Sequence, residues 1–324
     1  MQHAQALGER APRAADVARL RRALEVGGQG QQKLLVARAS PLPAVCTGAG
    51  TTLRPVVGVI VPVHGFAPYL AETLDCVLAQ RPAPGAVVVV DDASPEPVAL
   101  HPDHAPHCML LRRERCGGPA AARASGLEAL CSGAELIALC DADDAWTDDK
   151  LATQLAALDE FPDAALCFGR ALVVGADGRP TGERWAQLAP GPHHGPALRE
   201  LLYDSNPIPT SSVILRQRAL SAAGGFGSPV RLAEDWDLWL RLAARDESLI
   251  CAPQAVVRYR RHPGGLTADV AALARCQLEL HRAHGALVAS AVRERALEQD
   301  AAALRSATRG GLRALVPRRD PYRR

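Results

Sequence analysis

The chain has little lysine, no paired cysteine motif and no long apolar run. Lys33 and Lys150 are the only lysines among 37 basic residues, which leaves 35 arginines. With so much alanine, this is the mark of a GC-rich coding sequence, so arginine excess alone is no sign of nucleic-acid binding. Nine cysteines are scattered without a C-x-x-C, in an odd number that suits neither a zinc knuckle nor a disulfide framework. They read as reduced thiols filling apolar space. Arg10 and Arg13 are not followed by an apolar segment, so no signal peptide is expected. The longest strongly apolar run, Val56 to Val63, is far too short to span a bilayer.

What is present describes an ordinary globular protein. The 324 residues are 48% hydrophobic and 22% charged, which excludes collagen-like, purely coiled-coil and wholly disordered chains. The length allows one large domain or two modest ones. Net charge is +2, but the ends are basic. Residues 1–54 hold eight basic and three acidic side chains, and residues 303–324 hold seven and one. The stretch between them therefore carries −9. A nucleic-acid-binding core would be basic, whereas acidic clusters in a cleft suit a divalent cation.

Residues 1–54 read as a loosely ordered extension, with a helix expected over Ala11–Val26. From Pro55 the pattern changes. Val56–Val63 and Ala86–Val90 are apolar on both faces, as buried parallel strands are, and His107–Leu111 and Glu135–Cys140 continue the series. Helical stretches alternate with them: one after Pro68, one from Pro119 to Leu130, one over Asp148–Leu158. This predicts an α/β fold, a doubly wound and mostly parallel sheet. Further on, Ala164–Phe168, Ala171–Val174, Ser211–Leu215, Leu249–Cys251 and Ala255–Tyr259 are expected as short strands. Gly182–Pro196 is expected as a polar loop, and Gln217–Ala223 and Trp236–Ala244 as helices. A helical pattern runs from Asp269 to about Ala303, and packing on the α/β domain is its expected role, with pairing to a second subunit as the alternative.

Ligands of open α/β sheets bind beyond the carboxyl ends of the strands. Three groups fall there: Pro62-Val63-His64, Asp91-Asp92, and Asp141-Ala142-Asp143-Asp144. No G-x-G-x-x-G or G-x-x-x-x-G-K-[ST] is present, which excludes dinucleotide and P-loop sites. Adjacent carboxylates repel unless a hard cation bridges them, so Asp141 and Asp143 suit Mg²⁺ or Mn²⁺. The competing structural role is a helix cap by Asp144 or Asp148. Trp236 and Trp239 are spaced as one buried helix face. His193-His194 are candidates for lining a cleft from a mobile loop.

Taken together, an ordered set of motifs resembles the family 2 glycosyltransferases of the GT-A fold, from about Pro55 to His262. The set is Val59-Ile60-Val61-Pro62-Val63, Val89-Val90-Asp91-Asp92-Ala93-Ser94, Gly118 to Gly126, and Leu139-Cys140-Asp141-Ala142-Asp143-Asp144-Ala145-Trp146. It continues with Thr210 to Ile214, Gly224-Gly225-Phe226, Glu234-Asp235-Trp236-Asp237-Leu238-Trp239 and Tyr259-Arg260-Arg261-His262. The resemblance implies inverting transfer of a sugar from a nucleotide diphosphate to an acceptor hydroxyl. It implies Asp235 as general base, supported by Glu234. Asp235 could otherwise serve only as a helix N-cap. Asp143, Asp141 and His262 would hold Mn²⁺ or Mg²⁺. Pro62, Val63, Asp91, Asp92, Arg123, Asp141 and Ala142 would line the nucleotide-sugar site.

The domains expected are the 1–54 extension, a 55–262 GT-A domain, and a 263–324 helical segment with a basic tail. The partners expected are a nucleotide-sugar donor and a glycan or lipid-linked acceptor, as in cell-surface polysaccharide biosynthesis, with no nucleic acid. The location expected is cytoplasmic, with the basic tail available for a peripheral contact at the inner face of a membrane. Two other classes compete: a non-catalytic nucleotide-sugar-binding or scaffold module, and a sugar-phosphate nucleotidyltransferase. The second requires basic residues in a glycine-rich loop near the first strand, where neither lysine stands.

Overall fold

A strand with apolar side chains on both faces must be covered on both faces, and Val57–Val63 is covered in this way. The computed structural model describes residues 35–38, 55–130, 133–185, 188–230, 232–264 and 269–309. In chain order the strands are β1 (Leu35–Arg38), β2 (Val57–Val63), β3 (Ala86–Asp91), β4 (Met109–Arg112), β5 (Leu136–Leu139), β6 (Ala145–Trp146), β7 (Leu166–Val174), β8 (Pro180–Arg184), β9 (Gly191–His193), β10 (Ile214–Arg216) and β11 (Leu249–Arg260). The helices are α1 (Leu70–Leu78), α2 (Gly118–Leu130), α3 (Lys150–Glu160), α4 (Gly195–Asp204), α5 (Gln217–Ala222), α6 (Glu234–Ala244), α7 (Val270–His284) and α8 (Ser290–Arg309).

One sheet runs in the order β1-β4-β3-β2-β5-β10-β7-β11-β6, with β8 beside β7 and β9 beside β11. Strands β2, β3, β4, β5, β7 and β11 share a direction, which bears out the mostly parallel expectation. Alternate residues of β2 enter different cores. Val57, Val59, Val61 and Val63 pack with Leu70, Leu74 and Val77 of α1 and Leu151 and Leu158 of α3. Ile60 faces α2 with Ala122 and Leu130. Helix and strand approach closely there: a Cβ on Gly126 would stand 2.6 Å from Ile60 Cγ2. Each buried aliphatic side chain contributes roughly 1.5–3 kcal/mol, so the α2 glycine protects a sizeable packing term.

The second half departs from expectation in several places. The paired short strands at 164–174 are one strand, β7, because Gly169 makes room for Val256 rather than ending the element. Likewise β11 continues through Pro253, and register shifts between Cys251 and Val257 absorb the missing donor. Ser211 begins no strand: Thr210–Ser212 is a 3₁₀ turn, and β10 starts at Ile214. The loop expected over 182–196 contains part of β8 and all of β9. His193 pairs opposite Leu249, at the amino end of β11, far along that strand from Arg260. His193-His194 therefore do not line a cleft at the strand carboxyl ends. The helical pattern from 269 divides at Gly285–Leu287 into α7 and α8. Cys276 and Leu280 of α7 join the core that holds Trp236 and Trp239, and both tryptophans are buried as their spacing predicts.

Within the region expected as a loose extension, Leu35–Arg38 is a strand paired antiparallel with β4. The expected helix at 11–26 and the basic tail with Arg318, Arg319, Arg323 and Arg324 lie outside the described residues. No helix among the described residues is long and apolar enough to cross a membrane.

Candidate active site

The sheet brings the carboxyl ends of β2, β3 and β5 side by side, where the strand order reverses around β2. Crevices at such reversals are where α/β sheets bind ligands. Asp91 ends β3 and Asp92 follows it, and both are buried. Asp91 accepts from Ser94 N at 2.8 Å and Val98 N at 3.2 Å, and from Arg112. Burial alone would raise its pKa. The Ser94, Val98 and Arg112 hydrogen bonds outweigh that and hold the carboxyl below its usual range. Asp92 accepts from Gly118 N at 2.7 Å, from Gly117 N at 3.1 Å and from Arg113. Arg112 and Arg113 were missed in the sequence, although they stand at the end of β4, level with the other strand ends. Val63 is buried in the core and its carbonyl accepts from Asp92 N at 2.8 Å, so it offers a ligand no side chain. Pro62 is partly buried.

The turn after β5 is pinned from far along the chain. Asp141 N donates to Ser211 Oγ at 2.9 Å. Strand β6 pairs with Val257 and Arg258 of β11, so the turn meets the end of β11. There Asp144 Oδ1 accepts from Arg260 N at 2.8 Å, and Asp143 O accepts from Arg260 Nε at 2.9 Å. The helix-cap role fails for Asp144 and Asp148. The residue before α3 is Asp149, with no side-chain cap bond, and Asp144 turns inward. His262 Nε2 lies 2.9 Å from Asp143 Oδ2, and its ring meets the Tyr69 ring edge-on at 5.4 Å. Arg260, whose guanidinium reaches Glu72 at 2.7 Å and lies over Tyr69, was not singled out in the sequence.

A second pair of carboxylates arrives on α6. Arg123, from the middle of α2, is buried and bridges the two groups. Its Nη2 donates to Asp141 at 2.7 Å and its Nη1 to Glu234 at 2.8 Å. The side chain expected to face a nucleotide is thus an internal link, with its guanidinium spent on two carboxylates. Burial opposes its charge, but Asp141, Glu234 and Asp235 raise its pKa further. Asp235 is not the N-cap; that residue is Ala233, and Asp235 lies in the first turn. Its Oδ1 accepts from Trp236 N at 2.7 Å, and its Oδ2 from Thr210 Oγ1 at 2.5 Å and Asn206 Nδ2 at 3.3 Å. Asn206 carried no sequence signal, standing in a proline-rich connection before β10, and Thr210 stood in an ordered motif without an assigned role.

Charge is incompletely balanced here. Burial, then the negative charge of Asp141, pushes the Asp143 carboxyl up against the pull of His262. Burial with Asp143 and Asp141 raises Asp144 well above the usual range. Glu234 is pushed up to about 7 by burial, opposed by Arg123 and assisted by Asp235. Adjacent carboxylates, one of them raised by burial and by the charge of its neighbour, with an imidazole beside them, form a donor set that suits a hard divalent cation. The side chains of Asp141 and Asp143 are 32% and 37% exposed, so a cation could reach them from solvent.

A family model described as "Glycosyl transferase family 2" matches residues 58–220, half of the chain. The chain belongs to this family. Among curated relatives of this family 2 glycosyltransferase, an uncharacterized Mycobacterium tuberculosis protein is 30% identical over 208 residues, covering 61% of this chain and 56% of the relative. The succinoglycan biosynthesis protein ExoW of Rhizobium meliloti is 30% identical over 123 residues, 36% of this chain and 38% of that one. The chain thus spans 56% of the length of the mycobacterial relative and 38% of ExoW. Among solved structures, S. aureus TarS 1-349 superposes with a TM-score of 0.55 at 18% identity, covering 78% of this chain and 71% of that one. Mannosyltransferase PcManGT from Pyrobaculum calidifontis, in complex with GDP-Man and Mn²⁺, gives 0.54 at 23% identity, covering 81% and 78%. These likenesses establish a shared fold.

Proposed function

We propose that the protein transfers a sugar from a nucleotide-diphosphate donor to an acceptor hydroxyl, with inversion and with a divalent cation. The observation that carries this reading is the Arg123 bridge. One buried guanidinium links Asp141, at the end of β5, to Glu234, one residue before Asp235. A group for the leaving diphosphate and a group for the acceptor thereby share one rigid frame.

Asp143, Asp141 and His262 would hold Mn²⁺ or Mg²⁺, which when bound supplies positive charge against the developing diphosphate. Asp92 would accept from a nucleobase N–H, and Arg113 lies beside it. Asp91 shapes the turn below, and Ala142 lies between the two carboxylates of the 141–143 turn. Asp235 takes the acceptor hydroxyl proton as that oxygen attacks the anomeric carbon. Thr210 and Asn206 orient its Oδ2, and Trp236 N holds its Oδ1. Glu234 supports Asp235 through Arg123 rather than by touching substrate.

Support for a nucleotide sugar comes from two structural neighbours, TarS in complex with UDP-GlcNAc and the mannosyltransferase in complex with GDP-Man. Support for a polysaccharide acceptor comes from the ExoW relative. The testing experiment incubates the purified protein with Mn²⁺ and UDP-, GDP- and dTDP-sugars and measures release of nucleoside diphosphate with and without glycan or lipid-linked acceptors. Release that requires Mn²⁺ and increases with an acceptor is the expected result. Tight donor binding with no release against any acceptor would favour a binding module instead.

A further inference from the structure

Beside the carboxylate turn, the loops that frame Asp92 bring together three donors of different chemistry. His64 follows β2, Asp92 follows β3, and Cys116 precedes α2. A ring nitrogen of His64, the Cys116 sulfur and a carboxylate oxygen of Asp92 lie within 4.8 Å of one another. His64 Nδ1 stands 2.9 Å from the Asp92 backbone carbonyl. A carbonyl brings no proton, so Nδ1 donates, and in the neutral ring Nε2 carries the lone pair. Metal-binding histidines are held in this way, with one nitrogen anchored to a carbonyl. The Cys116 thiol lies 3.4 Å from Asp92 Oδ2. His64 and Cys116 are exposed, whereas Asp92 is buried and fixed by Arg113 and the Gly117 and Gly118 amides.

We infer that His64, Cys116 and Asp92 form a second cation site that takes Zn²⁺ through sulfur, nitrogen and oxygen donors. Zinc–ligand bonds of about 2.0–2.3 Å require donor separations of roughly 3.5 Å. Rotation of the exposed thiol and a small shift of the imidazole about its carbonyl anchor close that distance, while the carboxylate stays in place. Coordination releases the Cys116 proton to solvent and leaves a fourth position for water. The oxygen-rich turn at Asp141 and Asp143 favours harder cations, so the two sites differ in selectivity. One consequence rests on the glycosyltransferase reading. Asp92 is set to accept from the nucleobase, so zinc and nucleotide compete for it.

The full chain is titrated with Co²⁺ as a spectroscopic substitute for Zn²⁺, and the thiolate-to-cobalt charge-transfer absorption is recorded. The expected result is a band in the parent protein that Zn²⁺ bleaches, that Cys116→Ser abolishes, and whose midpoint moves about tenfold or more in His64→Gln. No band in the parent, or an equal band in Cys116→Ser, overturns the site. Nucleoside diphosphate binding with Mn²⁺ is then measured with and without Zn²⁺. Weakening in the parent but not in Cys116→Ser supports competition, and equal weakening in both overturns it. Failure of both proteins to bind nucleotide without zinc counts against the transferase reading and leaves the cobalt result intact.

Discussion

Two carboxylate groups sit at neighbouring strand ends and meet opposite electrostatic fates. At β3, Asp91 is buried yet held ionised by two backbone amides and Arg112. At β5 and α6, Asp143, Asp144 and Glu234 are pushed toward protonation by burial and then by adjacent carboxylates. Burial is common to both groups, so it cannot explain the difference. The count of donors does. Asp91 is satisfied within the protein, whereas the β5–α6 group shares one buried guanidinium between two carboxylates. A group short of positive charge can accept a cation, and a carboxylate in its midst can accept a proton.

The sharpest test of that contrast is Asp235→Asn. Removing a general base costs typically 10²–10⁴-fold, so turnover should fall by about three orders of magnitude while Mn²⁺-dependent nucleotide binding is kept. Steady-state kinetics beside a binding isotherm reads both, and full activity in the variant would remove the base role. Next comes Arg123→Met, which leaves two carboxylates facing a buried void of charge. A loss of about 3–5 kcal/mol is expected in urea unfolding. Arg123→Lys should recover only part of it, because an ammonium cannot fork to two partners in fixed geometry.

The two groups should then respond oppositely to neutralisation. Asp91→Asn removes an ionised acceptor from Ser94 N, Val98 N and Arg112, and should destabilise by about 1–3 kcal/mol. Asp143→Asn relieves repulsion with Asp141, so metal-free stability should hold or rise while the Mn²⁺-induced Tm shift disappears. Equal destabilisation by both variants would erase the distinction.

The smallest effect is a pH slope. The Glu234 pKa is raised from 4.5 to about 7 in the folded protein. A raised carboxyl binds its proton more tightly when folded, so its contribution is fully present below pH 4.5 and is lost as pH climbs through about 7. Metal-free unfolding curves should therefore show wild type losing stability relative to Glu234→Gln across that window. Parallel curves would place the carboxyl at its ordinary value.

The first half of the fold was legible because its strands are buried on both faces and end abruptly in acidic pairs. Val56 to Val63 and Ala86–Val90 need no partner to be recognised. The second half was read less well. Gly169 and Pro253 look like strand breakers, yet one accommodates Val256 and the other sits in a bulge. Local composition carries no record of such neighbours. At the site, Asp141, Asp143, Asp235 and His262 stood in ordered motifs. Arg113 and Asn206 did not stand out, and Thr210 and Arg260 stood in motifs without a role, since each acquires its role by contact with a distant segment.

Sequence by itself determined where strands end in carboxylates, because side-chain periodicity and turn chemistry act over a few residues. Tertiary structure alone decided which of those carboxylates remain charged. Arg123 meets Glu234 across 111 positions, and His262 meets Asp143 across 119. Coulomb energy depends on distance and on the surrounding dielectric, both of which exist only once the chain has folded.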